Sequence, residues 1–464
     1  MNKYKSLAKN TAIFAIGTFG SKILSFIMVF FYSRAMQTEE FGLLDIIINS
    51  ASLLLPVAML GITNAVIRFG LDDDYKQSDV FTTGLLSVGI GFGFLLLCCP
   101  LLIMVDDIKN YIVLFYAHIL TSALRHVCSF FVRSDNKVRL YAADGIFSTF
   151  MTCALTIIFL IPLQMGIVGY MLAIIIADFC SVVFLCVCSK AYKNISFKGV
   201  DFSVTKQMIR FSIPLMPTAL LWWVVNVSDR FFVKYMEGSA ANGLYAASYK
   251  IPTILTLASA IFLDAWQISA VSEHKSRERN EFYSDIFKSF QGAIFVVGSV
   301  LILTAKLVTK LLLANSYYDS WQYIPTLIFA TVFSCFVVFL GNIYLAEKRN
   351  VATLLTTVLG AGLNLLLNGP FIKIFGVQGA AIATCISYFA VYAARAIDIK
   401  IKSRDMQLSS LRVLINSLLM TAQTVIMILE IPYWLPLQFV LLLITVVFNF
   451  NMLLDLAKKV LKKD

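Results

Sequence analysis

Fourteen stretches of about twenty predominantly apolar residues run through this chain, at approximately 11–33, 41–63, 81–104, 111–131, 141–161, 166–189, 211–235, 244–269, 288–313, 323–346, 351–370, 376–397, 410–430 and 433–455. A helix rises 1.5 Å per residue, so about twenty residues match the roughly 30 Å hydrocarbon thickness of a bilayer. Irregular backbone is excluded from hydrocarbon because its amide groups would lack partners, so each stretch is expected to be helical. The expected fold is an all-α polytopic membrane protein with about 14 transmembrane helices. Composition agrees: 59% of the 464 residues are hydrophobic and 14% are charged, against roughly half and about a quarter in soluble domains. A soluble protein would lack the polar side chains needed to cover its surface. The first stretch follows MNKYKSLAKN and is longer than the apolar core of a signal peptide, with no small-residue cleavage site, so it reads as a first span.

The formal charge of +11 does not indicate a nucleic-acid partner, because the basic residues lie in short clusters between apolar runs. Their positions instead report orientation. The amino terminus and alternate loops hold twenty-eight Lys and Arg, such as Lys3, Lys5, Lys9, Lys190, Lys193 and Lys400, while the intervening loops hold four: Arg34, Lys109, Lys234 and Lys373. Both termini are therefore expected to be cytoplasmic. The outer loops leave no room for a folded domain, and the basic segments 190–210 and 270–287 are expected to lie on the anionic leaflet. The nine cysteines form no CxxC pair and have no histidine cluster beside them, so they read as small buried hydrophobes and no metal or other cofactor is expected.

Local patterns recur about 200 to 210 residues apart. RAMQTEEFGLLDI (34–46) parallels KYMEGSAANGLYAAS (234–248), with Gly42 and Gly243 matched, and GIVGYMLA (166–173) parallels GVQGAAIA (376–383). Basic turns at Arg133 and at 346–350 fall in equivalent places. This predicts an N-terminal six-helix bundle over 1–189, a cytoplasmic basic linker over 190–210, a C-terminal six-helix bundle over 211–397, and helices 13 and 14 with a basic tail over 398–464. Two parallel bundles of this kind can rock about a central cavity to open it to one side at a time.

Ionisable groups at membrane depth are costly unless they face a cavity or a partner, which makes them the candidate sites. Lys22 lies between Thr18 and Ser25 on one face of the first span, and Asp45 and Asn49, with Ser52, continue the pattern in the second. Arg68 and Arg125 approach the inner interface, where long side chains snorkel. Asp144, Ser148 and Asp178 mark spans five and six. Asn226, Asp229 and Arg230 follow Trp222 and Trp223, Lys250 and Asp264 lie in span eight, and Lys306 in span nine. Cations in this set suit a phosphate, and carboxylates and amides suit sugar hydroxyls. The competing reading is structural pairing, for example of Asp45 with Lys22. Asp229 or Asp264 also suits a proton or sodium ion, which would couple transport to a gradient. Pro56, Pro214, Pro217, Pro252 and Pro325 are positioned to kink spans.

With these residues in view, the chain resembles the polysaccharide-biosynthesis transporters, the Wzx-like flippases of the superfamily that also holds multidrug extruders and lipid II flippases. The resemblance rests on KNTAIFAIGTFGSKILSFI (9–27), SRAMQTEEFGLLDI (33–46), VSDRFFVKYMEGSAANGLYAASYKIP (227–252) and GVQGAAIATCISY (376–388). It implies a flippase, not an enzyme, that moves an undecaprenyl-diphosphate-linked oligosaccharide to the outer leaflet. Membrane lipids and a polymerase or other assembly proteins would be its partners, with no role for nucleic acid. A multidrug exporter of the same superfamily is one alternative. A membrane polysaccharide polymerase is another, but it would need a catalytic loop that the short outer loops do not provide.

Overall fold

A computed structural model describes residues 24, 26–72, 74–135, 137–196, 201–272, 278–347, 349–403 and 406–461. Each apolar stretch carries a helix: α1 (Phe26–Ala35), α2 (Thr38–Ala58), α3 (Gln77–Leu97), α4 (Ile112–Ser134), α5 (Val138–Leu160), α6 (Gly166–Ser189), α7 (Met216–Glu237), α8 (Pro252–Ser272), α9 (Arg279–Leu312), α10 (Ile324–Ala346), α11 (Asn350–Phe375), α12 (Val377–Lys402), α13 (Ser410–Ile428) and α14 (Trp434–Leu461). No strand occurs among the described residues. Twelve segments there are long and apolar enough to cross a membrane, and the described apolar parts of the first and last stretches, Phe26–Ala35 and Trp434–Phe450, are shorter.

Burial is inverted relative to a water-soluble protein. Leu97, Met104 and Val113 are each nearly four-fifths exposed on the outside, whereas Gln291, Asn364, Asn368 and Gln423 have no exposed surface. Hydrocarbon accepts the former, and helix neighbours satisfy most of the latter. Asn416 and Asn449 exchange side-chain hydrogen bonds of 3.2 and 2.8 Å between α13 and α14. The Ser299 hydroxyl donates to Gln423 Oε1 at 2.7 Å, tying α13 to α9.

The chain divides into two compact units, Met1–Trp223 and Val224–Asp464, and the boundary falls inside α7. In the first, α5 and α4 pack along α6, and α2 packs along α4. In the second, α11 and α10 pack along α12, and α8 packs along α10, which is the same order displaced by six helices. The sequence repeat thus corresponds to a repeat of internal packing. The amphipathic helix Phe202–Ser212 buries Val204 and Met208 in the core of the first unit, beside Ile62 and Phe81. Thr205 meets Thr83 of α3 at 2.9 Å.

The GxxG pairs explain why the sequence repeats where it does. Gly166 (φ +54°) and Gly376 (φ +59°) turn the chain at the starts of α6 and α12 in the left-handed region, where a side chain costs about 1–2 kcal/mol. One turn on, a Cβ at Gly169 would lie 3.0 Å from Phe159 Cβ, and one at Gly379 only 2.1 Å from the Phe371 carbonyl oxygen. Each hairpin closes at backbone contact distance, which only glycine permits.

Most of the prolines expected to kink spans sit at helix starts, where their missing N–H costs nothing. Pro252 opens α8, Pro325 is in the first turn of α10, and Pro214 lies in the 3-10 turn Ile213–Leu215 ahead of α7. Pro56 and Pro370 are helix-internal, in α2 and α11. Arg395, grouped in sequence with the basic inner loops, is 1% exposed. It donates to the Val337 carbonyl at 2.7 Å and to Thr356 Oγ1 at 3.0 Å. Gly341 makes room for it, since a Cβ there would lie 2.6 Å from Nη1.

Replacing Gly379 with Ala is expected to lower the thermal midpoint of the purified protein in detergent, by an equivalent of roughly 1–3 kcal/mol. Gly362→Ala, in α11 with open space at its Cβ, should leave the midpoint unchanged or raise it slightly.

Candidate functional site

Polar side chains that the sequence scatters over α7, α11, α12 and the helix Ser239–Ser248 meet inside the second unit. Asp229 of α7 is 1% exposed. Its Oδ2 accepts hydrogen bonds from Tyr245 Oη at 2.7 Å, Tyr249 Oη at 2.5 Å and Thr384 Oγ1 at 3.2 Å. Asn364 Nδ2 donates to Thr384 Oγ1 at 3.2 Å, and Asn364 Oδ1 accepts from Ser228 Oγ at 2.7 Å and Asn368 Nδ2 at 2.9 Å. Asn368 Oδ1 is buried with no hydrogen-bond partner. Arg230 places its guanidinium 4.7 Å from the Tyr249 ring centroid, a cation–π distance. Asn226, exposed on the same helix, accepts from Tyr388 Oη at 2.6 Å. A buried carboxylate, amide oxygens and a hydroxyl form a donor set of hard oxygens, the chemistry preferred by hard cations.

A second network lies inside the first unit. Arg125 of α4 reaches Asp178 Oδ1 of α6 at 3.1 Å, Asp144 Oδ2 of α5 at 3.5 Å and Ser181 Oγ at 3.0 Å. Ser181 donates to Asp144, and Ser122 donates to Asp178 Oδ2 at 2.5 Å. His118 Nδ1 lies 3.3 Å from Ser122 Oγ. Asp144 and Asp178 are buried, and the Arg125 side chain is 27% exposed. Arg125 therefore forms internal ion pairs, where the sequence suggested snorkelling.

The surroundings of the other candidates differ. Lys22 is outside the described residues. Asp45 and Asn49 are half-buried one turn apart on α2, where Asn49 Nδ2 donates to the Asp45 carbonyl at 2.8 Å. The Trp223 indole donates to the Asn49 carbonyl and to Ser52 Oγ, each at 3.0 Å, and so belongs to the first unit. Arg68 pairs with Asp72 at 3.3 Å, its side chain 64% exposed. Lys250 lies half-buried between Ser239–Ser248 and α8, and Asp264 is exposed on α8. Lys306 sits 4.0 Å from the Trp321 ring centroid and 4.5 Å from that of Trp434, and forms an ion pair with Glu430.

Sequence reasoning, which looked for ionised groups, missed Tyr245, Tyr249, Asn364, Asn368, Thr384, Ser122 and His118. The signal was present in two pairs at i, i+4 spacing, Tyr245 with Tyr249 and Asn364 with Asn368, each placing two polar groups on one helix face. Among the described residues no group of three or more His, Cys, Asp or Glu side chains is placed to hold a metal ion.

The fold and these interior networks define a multi-spanning membrane protein with the architecture shared by lipid flippases and multidrug transporters. Residues 7–267 match the family described as Polysaccharide biosynthesis protein, and the chain belongs to that family. An uncharacterised membrane protein of Methanocaldococcus jannaschii is 23% identical over 412 residues, covering 83% of this chain and 96% of that one. Among solved structures, the lipid II flippase MurJ in an inward closed conformation superposes with a TM-score of 0.69 at 13% identity, covering 96% of this chain and 100% of the other. An inward-facing multidrug-resistance MATE transporter of the MOP superfamily gives 0.64 at 13% identity, covering 85% and 94%. A MOP superfamily transporter from Pyrococcus furiosus gives 0.61 at 14% identity, covering 85% and 96%.

Removing the partner of a buried hydrogen-bonding group costs about 1–3 kcal/mol. Tyr245→Phe and Thr384→Val are therefore each expected to lower unfolding stability by about that amount. Combined with Asp229→Asn, either substitution should cost markedly less, a non-additivity that a double-mutant cycle on thermal unfolding reads directly.

Proposed function

We propose that this chain is a flippase that carries an undecaprenyl-diphosphate-linked oligosaccharide from the cytoplasmic to the outer leaflet of a bacterial inner membrane by alternating access. Its products would supply capsule, O-antigen or exopolysaccharide synthesis, and both termini would be cytoplasmic. The observation that carries the reading is the family match over residues 7–267, and the likeness to the fold of a lipid II flippase along nearly the whole chain supports it. The physical task fits a polar interior. Sugar hydroxyls cannot cross hydrocarbon without partners to replace their water, whereas a polyprenyl tail remains in lipid throughout. Arg230 and Lys250 supply cations for the diphosphate, and Asn226 supplies an amide for sugar hydroxyls; Lys22 is a further candidate cation from the sequence. A polymerase and other polysaccharide assembly proteins would receive the product.

Energy would come from a cation gradient, of protons or sodium, acting at Asp229. Support comes from the buried carboxylate with Thr384 and Asn364 around it, and from Asn368 Oδ1, an acceptor left without a hydrogen bond. A monovalent cation bound there would neutralise the carboxylate.

In proteoliposomes containing lipid-linked oligosaccharide, the native protein is expected to flip the substrate, and Arg230→Ala and Lys22→Ala to slow the process at least tenfold. Asp229→Asn should remove stimulation by an imposed sodium or proton gradient while leaving slow downhill flipping. Undiminished transport by both cation variants would take those residues out of the mechanism. Transport of a cationic drug without movement of the lipid-linked sugar would favour the multidrug reading.

A further inference from the structure

The network inside the first unit is unbalanced in charge. One guanidinium, Arg125, faces two carboxylates, Asp144 and Asp178. Each carboxylate places one oxygen toward Arg125 and the other against a serine hydroxyl, Ser181 for Asp144 and Ser122 for Asp178. Asp144 is 1% exposed, Asp178 5% and Ser181 0%. With neutral imidazoles the cluster carries one net negative charge, enclosed among α4, α5 and α6 in a membrane-spanning chain. An uncompensated interior charge costs several kcal/mol, and two carboxylates sharing one site do not both ionise readily.

We infer that this cluster binds one exchangeable proton, carried by one of its two carboxyls, Asp144 or Asp178, and is a proton site of the N-terminal unit separate from Asp229. The proton adds to a carboxylate oxygen to give a neutral carboxylic acid, leaving one Arg–carboxylate pair and no net charge. Asp144 is the more favourable holder, because Arg125 grips it at 3.5 Å and grips Asp178 at 3.1 Å. On the Asp178 side the cluster continues to His118, whose Nδ1 is 3.3 Å from Ser122 Oγ, the hydroxyl bonded to Asp178.

The surrounding titratable groups are few. On α4, His126 Nδ1 lies 2.7 Å from the Ser122 carbonyl, and Cys128 faces Cys186 of α6 with the sulfurs 3.8 Å apart. The helices α2, α3, Thr63–Gly70 and Asp106–Lys109, which also pack on α4, carry Glu39, Glu40, Asp45, Asp79, Arg68, Asp106, Asp107 and Lys109; Lys109 pairs with Asp106 and Arg68 with Asp72, and Arg125 makes no ion pair with any of them. The imbalance thus has no remedy from neighbouring cations among the described residues. The inference is independent of what the chain transports.

The test is infrared spectroscopy of the purified full-length protein in lipid, titrated from acid to alkaline pH, reading the C=O band of protonated carboxyls and its shift in heavy water. The native protein should show a protonated-carboxyl band, lost on alkalinisation, that both Asp144→Asn and Asp178→Asn abolish, because either amide leaves Arg125 with a single carboxylate. Arg125→Gln should increase the band, since both carboxyls then need a proton, and His118→Gln should preserve it. A native spectrum lacking a band sensitive to either Asn substitution overturns the assignment, as does a band removed by only one of them. Both Asn substitutions are nearly isosteric, and the two folded samples together decide the assignment.

Discussion

Hydrocarbon offers no hydrogen bonds, and most of what this chain does follows from that one deficiency of its solvent. Backbone amides must close on themselves, which leaves helices as the available elements. Side-chain polar groups must then find each other between helices, and they do so in a few dense clusters. Asn416 with Asn449, Ser299 with Gln423, the Asp229 shell and the Arg125 network are all answers to the same demand. Apolar contact discriminates weakly between a neighbouring helix and a lipid tail, so these polar pairs contribute much of the specificity of which helix meets which.

The helices were legible from residue type alone because their signal is long and redundant: about twenty apolar residues in succession survive any single misreading. The site was legible only in outline. Asp229, Arg230 and Arg125 stood out because a charge in an apolar run is conspicuous. Their partners did not, because Tyr245, Thr384 and Ser122 are ordinary in membrane helices, and pairing across helices depends on rotation about each helix axis. Lys306 shows the same limit from the other side. Its position inside span nine suggested a cavity, whereas the structure places its ammonium between two indoles and Glu430. Trp434 lies far from Lys306 in sequence and Trp321 sits beyond the end of its helix, and nothing in their local patterns links them.

The repeat illustrates how little identity a duplicated architecture needs. Between 166–173 and 376–383 the shared letters are chiefly glycines, yet the two hairpins fold alike because each requires a left-handed turn followed by a residue without a Cβ. The motif fixes geometry, and most of the remaining positions differ between the two copies. The same freedom lets the two interiors diverge chemically. One holds an arginine between two acids, and the other holds an acid among phenols, amides and a hydroxyl.

The hairpins α5–α6 and α11–α12 have a mechanical corollary. Two helices that touch at the level of their main chains cannot splay at that end without breaking contact across several residues at once. Each hairpin is therefore a stiff lever, and bending must be taken up elsewhere, at joints such as the break between Ser239–Ser248 and α8 or the proline within α2. Asp229 bonds tyrosines on the near side of that break and a threonine on one of the stiff arms. Any event that alters its bonding is thus felt at once by a rigid limb and by a flexible elbow.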